Sequence, residues 1–111
     1  MTFSRWDVVA VEYPFLEGYE SKRRPALVVS SEPLHDRHSV YWLVMITTAK
    51  AGVRADDVPV GDHAAAGLPE DCVIRVPRLA TMGAAQIVRR LGTIATKERR
   101  AVAALLKRFV P

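Results

Sequence analysis

Three consecutive cations, Lys22, Arg23 and Arg24, stand directly before Pro25 and the apolar run that follows it. Proline has no N–H and is tolerated at the start of a strand, so we expect a buried strand that begins at Pro25, with Arg24 held where ordered structure starts. A guanidinium in that place offers a planar fork of donors that matches phosphate oxygens. The pattern indicates an anion-binding position at Arg24.

Hydroxyl groups end the next apolar run, "SVYWLVMITT", at Thr47 and Thr48. Hydroxyls at a strand end can donate to the same phosphate as a nearby arginine. Consecutive strands usually lie side by side, so Arg24 and Thr47 are expected to share one pocket. A purely structural interpretation also fits, in which Arg24 neutralises Glu17 or Glu20 and Thr47 simply suits a strand. The residue types alone leave both interpretations open.

The net charge of +4 is unevenly distributed along the chain. Residues 1–50 have equal numbers of basic and acidic side chains, and residues 51–71 have a net charge of −4. Residues 72–111, in contrast, have nine basic side chains and a single acidic one, Glu98. Such a segment favours an anionic partner. Nucleic acids are one class of partner, because each cation that contacts a phosphate releases counterions and so favours binding. A solvated basic face, or one matched to an acidic protein, remains the alternative.

Composition limits the class of protein. With 111 residues, 50% hydrophobic and 25% charged, we expect one globular domain over residues 1–111. The sequence lacks an apolar run of about 20 residues that could span a bilayer, and its start lacks the apolar core of a signal peptide, so we expect a cytoplasmic protein without a membrane partner. Cys72 is expected to be a buried apolar residue. Asp56 and Asp57 lack a third ligand, so no metal or cofactor is predicted.

The apolar pattern predicts several short strands. They lie in "WDVVAVEYPF", "PALVVSS", "SVYWLVMITT", "RADDVPV" and "CVIRVPRLATM". Pro77 in the last of these predicts a bulge or an edge, and the third strand is apolar enough to be central. Of the connections, "EPLHDRH" is predicted to be rich in turns and "GDHAAAGLPED" to be a flexible excursion.

The C-terminal part adds one clear helix. "TKERRAVAALLKRFV" is amphipathic, with Val102 and Leu105 on the apolar side and Thr96 as a candidate N-cap. "GAAQIVRRLGTI" fits either a helix or a last strand. Short strands followed by one helix predict an α+β fold, mainly β, in which the helix covers a small sheet.

These segments, taken together, resemble the MazF/PemK family of type II toxin–antitoxin ribonucleases. In that family an Arg-Pro pair begins the second strand, Ile-Thr closes the third and Leu-Gly precedes the last helix. "RRPALVVS", "ITT" and "RRLGTI" match this order over nearly the whole chain. The resemblance implies an SH3-like barrel of the CcdB/MazF type with a C-terminal helix, a homodimer, and inhibition by a MazE-like antitoxin.

The resemblance also implies a reaction, the metal-independent, sequence-specific cleavage of single-stranded RNA that arrests growth. The neighbouring 2′-hydroxyl would attack the phosphorus, giving a 2′,3′-cyclic phosphate and a 5′-hydroxyl. Arg24 and Thr47 fall on the catalytic arginine and threonine of the family, and Glu20 is a possible match for a glutamate that would act as base. Predicted RNA contacts are Lys22, Arg23, Thr48, Arg75 and Arg78.

One departure from the family pattern leaves two alternatives open. Many members have Gln-Ile-Arg-Thr where this chain has "RLAT", so Ala80 occupies the arginine position, and Arg75 or Arg78 would have to replace its phosphate contact. An inactive module that binds RNA or antitoxin is therefore one alternative. A gyrase poison of the CcdB type is the other, although the Arg-Pro and Ile-Thr signals count against it.

Overall fold

The computed structural model describes residues 2–13 and 22–111, with the backbone alone for Tyr13 and Lys22. In this part of the chain there are six strands, two α-helices and the short 3₁₀ turns Ala49–Ala51 and Ala84–Gln86. The strands are β1 Asp7–Tyr13, β2 Lys22–Val28, β3 Val40–Thr48, β4 Asp57–Pro59, β5 Cys72–Gly83 and β6 Ile87–Thr93. The helices are α1 Glu32–His38 and α2 Thr96–Phe109.

All six strands belong to one antiparallel sheet in the order β4-β5-β3-β2-β1-β6. The predicted α+β class, mainly β with a terminal helix, is confirmed, and β3 is central as expected. Between the described residues of β4 and β6 no ladder closes the sheet, so the architecture is an open version of the expected barrel. The ambiguous segment after β5 forms a 3₁₀ turn and then the strand β6.

Strand β2 begins at Lys22, three residues before the predicted start at Pro25. Its ladder with β1 runs from Lys22 to Leu27, whereas its ladder with β3 covers only Ala26–Val28. Pro25 thus lies where β2 has a hydrogen-bonded neighbour on one side, which accommodates its missing N–H. The first half of β2 is attached to β1 and open toward β3.

Pro77 lies in a bulge of β5, as the sequence predicts. The partner of Val44 on β3 is Leu79, but the partner of Met45 is Arg75, so residues 76–78 have no partner in this register. A bulge tolerates a residue that cannot donate to the ladder and bends the strand locally.

Apolar side chains pack on both faces of the sheet, because successive residues of a strand point to opposite sides. We call the cluster beneath α2 the α2-side core; its members include Val8, Leu27, Val44, Ile46, Ile74 and Val102. We call the opposite cluster the Phe3-side core; its members include Phe3, Val9, Ala26, Tyr41, Leu43 and Met82. Two packed faces fix the register of every long strand, since a slip by one residue would exchange them.

Residues 32–38, predicted to be a turn-rich connection, instead form α1. Pro33 lies in its first turn, where a missing N–H does no harm. His35 is buried, with its Nε2 2.7 Å from Ser30 Oγ and its ring centroid 3.9 Å from that of Tyr41. These tertiary contacts, rather than the propensity of seven residues, stabilise so short a helix, which is why the sequence pattern did not reveal it.

Residues 61–71, predicted to be a flexible excursion, pack tightly against β6. Ala66 and Leu68 are buried in the α2-side core. At Gly92 the two backbones approach so closely that an added Cβ would lie 2.5 Å from the carbonyl carbon of Ala66. The segment covers the edge of the sheet at β6, and its small residues serve close packing rather than flexibility.

Helix α2 covers the α2-side core as predicted, through buried Val102 and the partly buried Leu105 and Leu106. Ala95 occupies the N-cap position and Thr96 is the first helical residue, so the prediction of Thr96 as cap is wrong by one position.

Cys72 is buried, as expected. In the described part of the chain no helix has the length and apolar character needed to cross a membrane.

Candidate functional site

A pocket of about 250 Å³ opens where β2, β3 and β5 meet. Its lining consists of Arg24, Met45, Ile46, Thr47, Arg54, Arg75 and Arg78. Four of these seven residues are arginines, so the pocket has the donors and the positive charge to bind an anion.

Arg24 and Thr47 line this pocket together because of the strand register. Ala26 on β2 pairs with Met45 on β3. Arg24 lies two residues before Ala26 and Thr47 two residues after Met45, so in antiparallel strands both side chains project from the face that carries the Phe3-side core. The ladder between β2 and β3 stops at Ala26, so Arg24 and Thr47 are not joined by strand pairing.

Arg75 forms one wall of the pocket and is held by other protein groups. Its Nε donates to Asp57 Oδ1 at 3.1 Å, and its Nη2 donates to Asp57 Oδ2 at 3.0 Å and to the carbonyl of Gly52 at 2.9 Å. The Asp57 carboxylate is fully buried in this contact and Arg75 keeps only 12% of its side chain exposed. Most of the donors of Arg75 are therefore used to fix the connection between β3 and β4.

Burial of Asp57 would raise the pKa of its carboxyl group above the ordinary 3.8. The hydrogen bonds from the Arg75 guanidinium and the Arg54 backbone N–H, with the charges of both arginines, outweigh burial and lower the pKa. The same ion pair raises the pKa of Arg75. Asp57 is thus an ionised partner of Arg75, and its neighbour Asp56 is exposed.

We expect the Asp57–Arg75 ion pair to stabilise the fold at neutral pH and to lose this effect in acid. Because the folded pKa of Asp57 is below 3.8, the contribution is complete above about pH 4 and disappears as the pH falls through the folded value. Asp57→Asn should lower the melting temperature by roughly 10 °C at about pH 7. Calorimetric scans should show this difference shrinking below about pH 4, and a difference that did not depend on pH would contradict the ion pair as its source.

Arg54 is a pocket residue that the sequence analysis missed. It precedes β4 in the acidic segment 51–71, where it is the only lysine or arginine. Its backbone N–H donates to Asp57 Oδ2 at 2.7 Å, which anchors the residue beside the pocket. The single base in an acidic stretch was the available signal. Within residues 2–13 and 22–111, ion pairs involve neither Arg54 nor Arg78 nor Arg24.

Other predicted contact residues lie elsewhere. Thr48 pairs with Cys72 and follows Thr47 directly, so it projects from the opposite face of β3 and does not line the pocket. Arg23 likewise projects away from Arg24, with its Nε 4.0 Å from a carboxylate oxygen of Glu12. Neighbouring residues of a strand point to opposite sides, a signal that was already present in the sequence.

The remaining positions singled out in the sequence are Glu20, Lys22 and Ala80. Glu20, the predicted base, lies outside the described residues, and for Lys22 only the backbone is described. Ala80, in the position of the missing family arginine, pairs with Leu43 and packs partly buried against the Phe3-side core. Arg78, two positions earlier, lines the pocket instead.

The open sheet, its terminal helix and the arginine-lined pocket define a small α+β protein with a basic pocket. The chain belongs to the PemK-like, MazF-like toxin family of type II toxin–antitoxin systems, whose model matches residues 4–110. No protein among the curated ones matches the sequence.

Several solved structures share the fold at low sequence identity. MazF from Deinococcus radiodurans is 16% identical, with 99% of this chain and 97% of that chain covered and a TM-score of 0.78. The Mycobacterium tuberculosis toxin MazF-mt6 is 20% identical over 92% of this chain and 93% of that one, with a TM-score of 0.71. An endoribonuclease from a mycobacterial species, solved in complex with its cognate antitoxin, is 16% identical over 96% and 93% of the two chains, with a TM-score of 0.76.

Proposed function

We propose that this chain is a single-domain toxin that cleaves single-stranded RNA at specific sequences, without a metal ion, and thereby inhibits growth. The observation that carries the proposal is the meeting of Arg24 and Thr47 in one pocket with Arg54, Arg75 and Arg78. Membership of the toxin family supports it. A cytoplasmic location follows from the proposed substrate, because mRNA is found there.

The proposed reaction uses the RNA as its own nucleophile. The 2′-oxygen loses its proton to a base and forms a bond to the adjacent phosphorus, while the bond from phosphorus to the 5′-oxygen breaks and that oxygen takes up a proton. The products are a 2′,3′-cyclic phosphate and a 5′-hydroxyl. No covalent intermediate with the protein is required, so the chain has to supply proton transfer and stabilisation of charge.

Arg24 is the proposed stabiliser of the charge that develops on the phosphate oxygens. Its guanidinium can donate two parallel hydrogen bonds, a geometry that suits a pentacoordinate phosphorane. Thr47 would donate its hydroxyl to a non-bridging oxygen of the same phosphate. Glu20 remains the proposed base on chemical grounds, since a carboxylate accepts a proton readily.

Arg54 and Arg78 are the proposed contacts to phosphates next to the one that is cleaved. Neither forms an ion pair within residues 2–13 and 22–111, so their charge is available to an RNA strand. Arg75 would act mainly by fixing the connection that carries Arg54. Lys22 remains a proposed RNA contact. Arg23 is a proposed contact outside this pocket, and Arg78 would take over the phosphate contact that Ala80 cannot make.

We also propose two protein partners. One is a cognate antitoxin, because similar folds have been solved in complex with an antitoxin. An acidic antitoxin segment would fit the arginine-lined pocket and block RNA from it. The other is a second copy of this chain, since the family resemblance implies a homodimer.

The test is cleavage of a long single-stranded RNA and of the DNA of the same sequence, both in excess EDTA. We expect cut RNA and intact DNA, because DNA lacks the 2′-hydroxyl that serves as nucleophile. Cut DNA, or RNA cleavage that requires added metal, would overturn the proposed reaction. Intact RNA with retained RNA binding would favour an inactive binding module, and inhibition of gyrase supercoiling would favour a gyrase poison.

A further inference from the structure

A second basic pocket, of about 460 Å³, lies on the other side of β2. Its cationic lining residues are Arg23, Arg24 and Arg89. Its remaining wall is formed by Ala10, Pro25, Gly67, Leu68, Pro69 and Leu91. We call it the β6-side pocket. Arginine donors can bind a phosphate, and the adjoining apolar surface can bury the face of a base.

The β6-side pocket is built by strand register and by close packing of the segment 61–71. Ala10 on β1 pairs with Pro25 on one side and with Arg89 on the other, so these three residues form one row across the sheet. Gly67 lies in direct backbone contact with Leu91, which places the segment over β6 as the opposite wall. The row of residues across the sheet and the segment 61–71, which together line the pocket, are therefore parts of the packed fold.

The charge of the β6-side pocket is only weakly neutralised within residues 2–13 and 22–111. Arg23 contacts Glu12 at 4.0 Å, with 63% and 49% of their side chains exposed, and such a pair contributes little in water. Arg89 is exposed and belongs to none of the ion pairs in this part of the chain. A phosphate entering the pocket would therefore meet guanidinium groups that make at most one weak ion pair with the described part of the chain.

Arg24 joins the two pockets, because it lines both of them. The ladder between β2 and β3 stops at Ala26, so Arg24 lies on the part of β2 that has no paired strand on the β3 side among the described residues. A polyanion whose reacting phosphate sits at Arg24 and Thr47 can therefore continue directly past Arg24 to Arg23 and Arg89.

We propose that the β6-side pocket binds a nucleotide of the same single-stranded RNA, next to the cleaved bond. Arg23 and Arg89 would hold its phosphate, and its base would pack against the apolar surface of Pro25, Pro69 and Leu91. This inference rests on the proposed ribonuclease function and adds to it a flanking subsite. The sharing of Arg24 favours an RNA strand over an acidic peptide, which needs no continuity with the reacting phosphate.

The experiment measures binding of 2′-O-methyl oligoribonucleotides, which cannot be cut because the nucleophile is blocked. Fluorescence anisotropy over a range of salt concentrations would compare Arg89→Ala with Arg100→Ala, which removes an exposed arginine of α2 that lines neither pocket. Loss of one phosphate contact should weaken binding about three- to tenfold at low salt and reduce the salt slope by about 0.7. Arg89→Lys should keep the slope close to that of the unmodified chain.

A second test looks for tighter RNA binding by a variant. Glu12→Gln removes the carboxylate beside Arg23 and should tighten RNA binding about two- to threefold at low salt. Glu32→Gln, at an exposed position on α1, makes the same change of charge away from both pockets and should have a smaller effect. Thermal unfolding of each variant would show that the fold is unchanged.

Several outcomes would overturn the inference. Equal effects of Arg89→Ala and Arg100→Ala would show that Arg89 has no local contact, even if the unmodified chain binds and cleaves RNA. If Arg89→Ala no longer bound a polyglutamate peptide but still bound RNA normally, the pocket would be assigned to an acidic peptide. Absence of any RNA binding or cleavage by the unmodified chain would instead remove the proposed function, and the subsite with it.

Discussion

Replacing Arg24 with alanine is expected to lower the rate of RNA cleavage by about two to three orders of magnitude, the usual effect of removing one donor that stabilises transition-state charge. Arg24 lines the pocket together with Thr47, and its side chain is exposed at the margin of β2. Its removal leaves the apolar cores intact, because Arg24 belongs to neither. The loss should therefore fall on activity and not on folding.

The measurement is single-turnover cleavage of a long RNA in EDTA, with two matched variants. Arg24→Lys keeps the charge but loses the planar fork, so it should restore only part of the activity. Arg100→Ala removes another exposed arginine, from α2, and should cleave at the rate of the unmodified chain. If Arg24→Ala also cleaved at that rate while remaining folded, the proposed role of Arg24 would be wrong. In cells, the same variant should no longer arrest growth.

The meeting of Arg24 and Thr47 was predictable because it depends on simple rules. Consecutive apolar strands pair, and residues at matched positions of antiparallel strands share a face. The same alternation separates Arg23 from Arg24 and Thr48 from Thr47, although the sequence analysis grouped them as contacts. Strand alternation therefore predicts more of the site than charge clustering does.

Arg54 and Asp57 could not be placed from the sequence for a different reason. The ion pair between Asp57 and Arg75 joins residues eighteen positions apart, across a short strand whose register the pattern did not fix. Arg54 lies in the connection that this pair holds, with its backbone N–H bonded to Asp57. Such contacts are tertiary, and local composition does not encode them.

Much of the fold was predictable, since long apolar strands and the amphipathic helix α2 have clear periodicity. The short helix α1 was missed because seven residues with a proline carry little helical signal. Residues 61–71 were misjudged because alanine and glycine are typical of loops and also allow two backbones to touch. Composition does not distinguish these uses, whereas the contact of Gly92 with Ala66 does.

Gly92→Ala is expected to destabilise the fold strongly. The added Cβ would lie 2.5 Å from the carbonyl carbon of Ala66 and 2.7 Å from the carbonyl oxygen of Ala65. Both are backbone atoms, so no side chain can rotate away, and β6 or the segment 61–71 has to shift. Overpacking of this kind costs about 3 kcal/mol of unfolding free energy, which corresponds to a fall in melting temperature of roughly 10–20 °C.

Gly61→Ala is the matched control, because a Cβ at Gly61 would have no atom within 4 Å. Its unfolding free energy should stay within about 0.5 kcal/mol of the unmodified chain. Urea denaturation of both variants measures the difference directly. If Gly92→Ala unfolded at the same urea concentration as Gly61→Ala, the segment 61–71 would not pack on β6 as described. The wall that Leu68 and Pro69 give to the β6-side pocket depends on that packing, so the same result would also remove the physical basis of the flanking subsite.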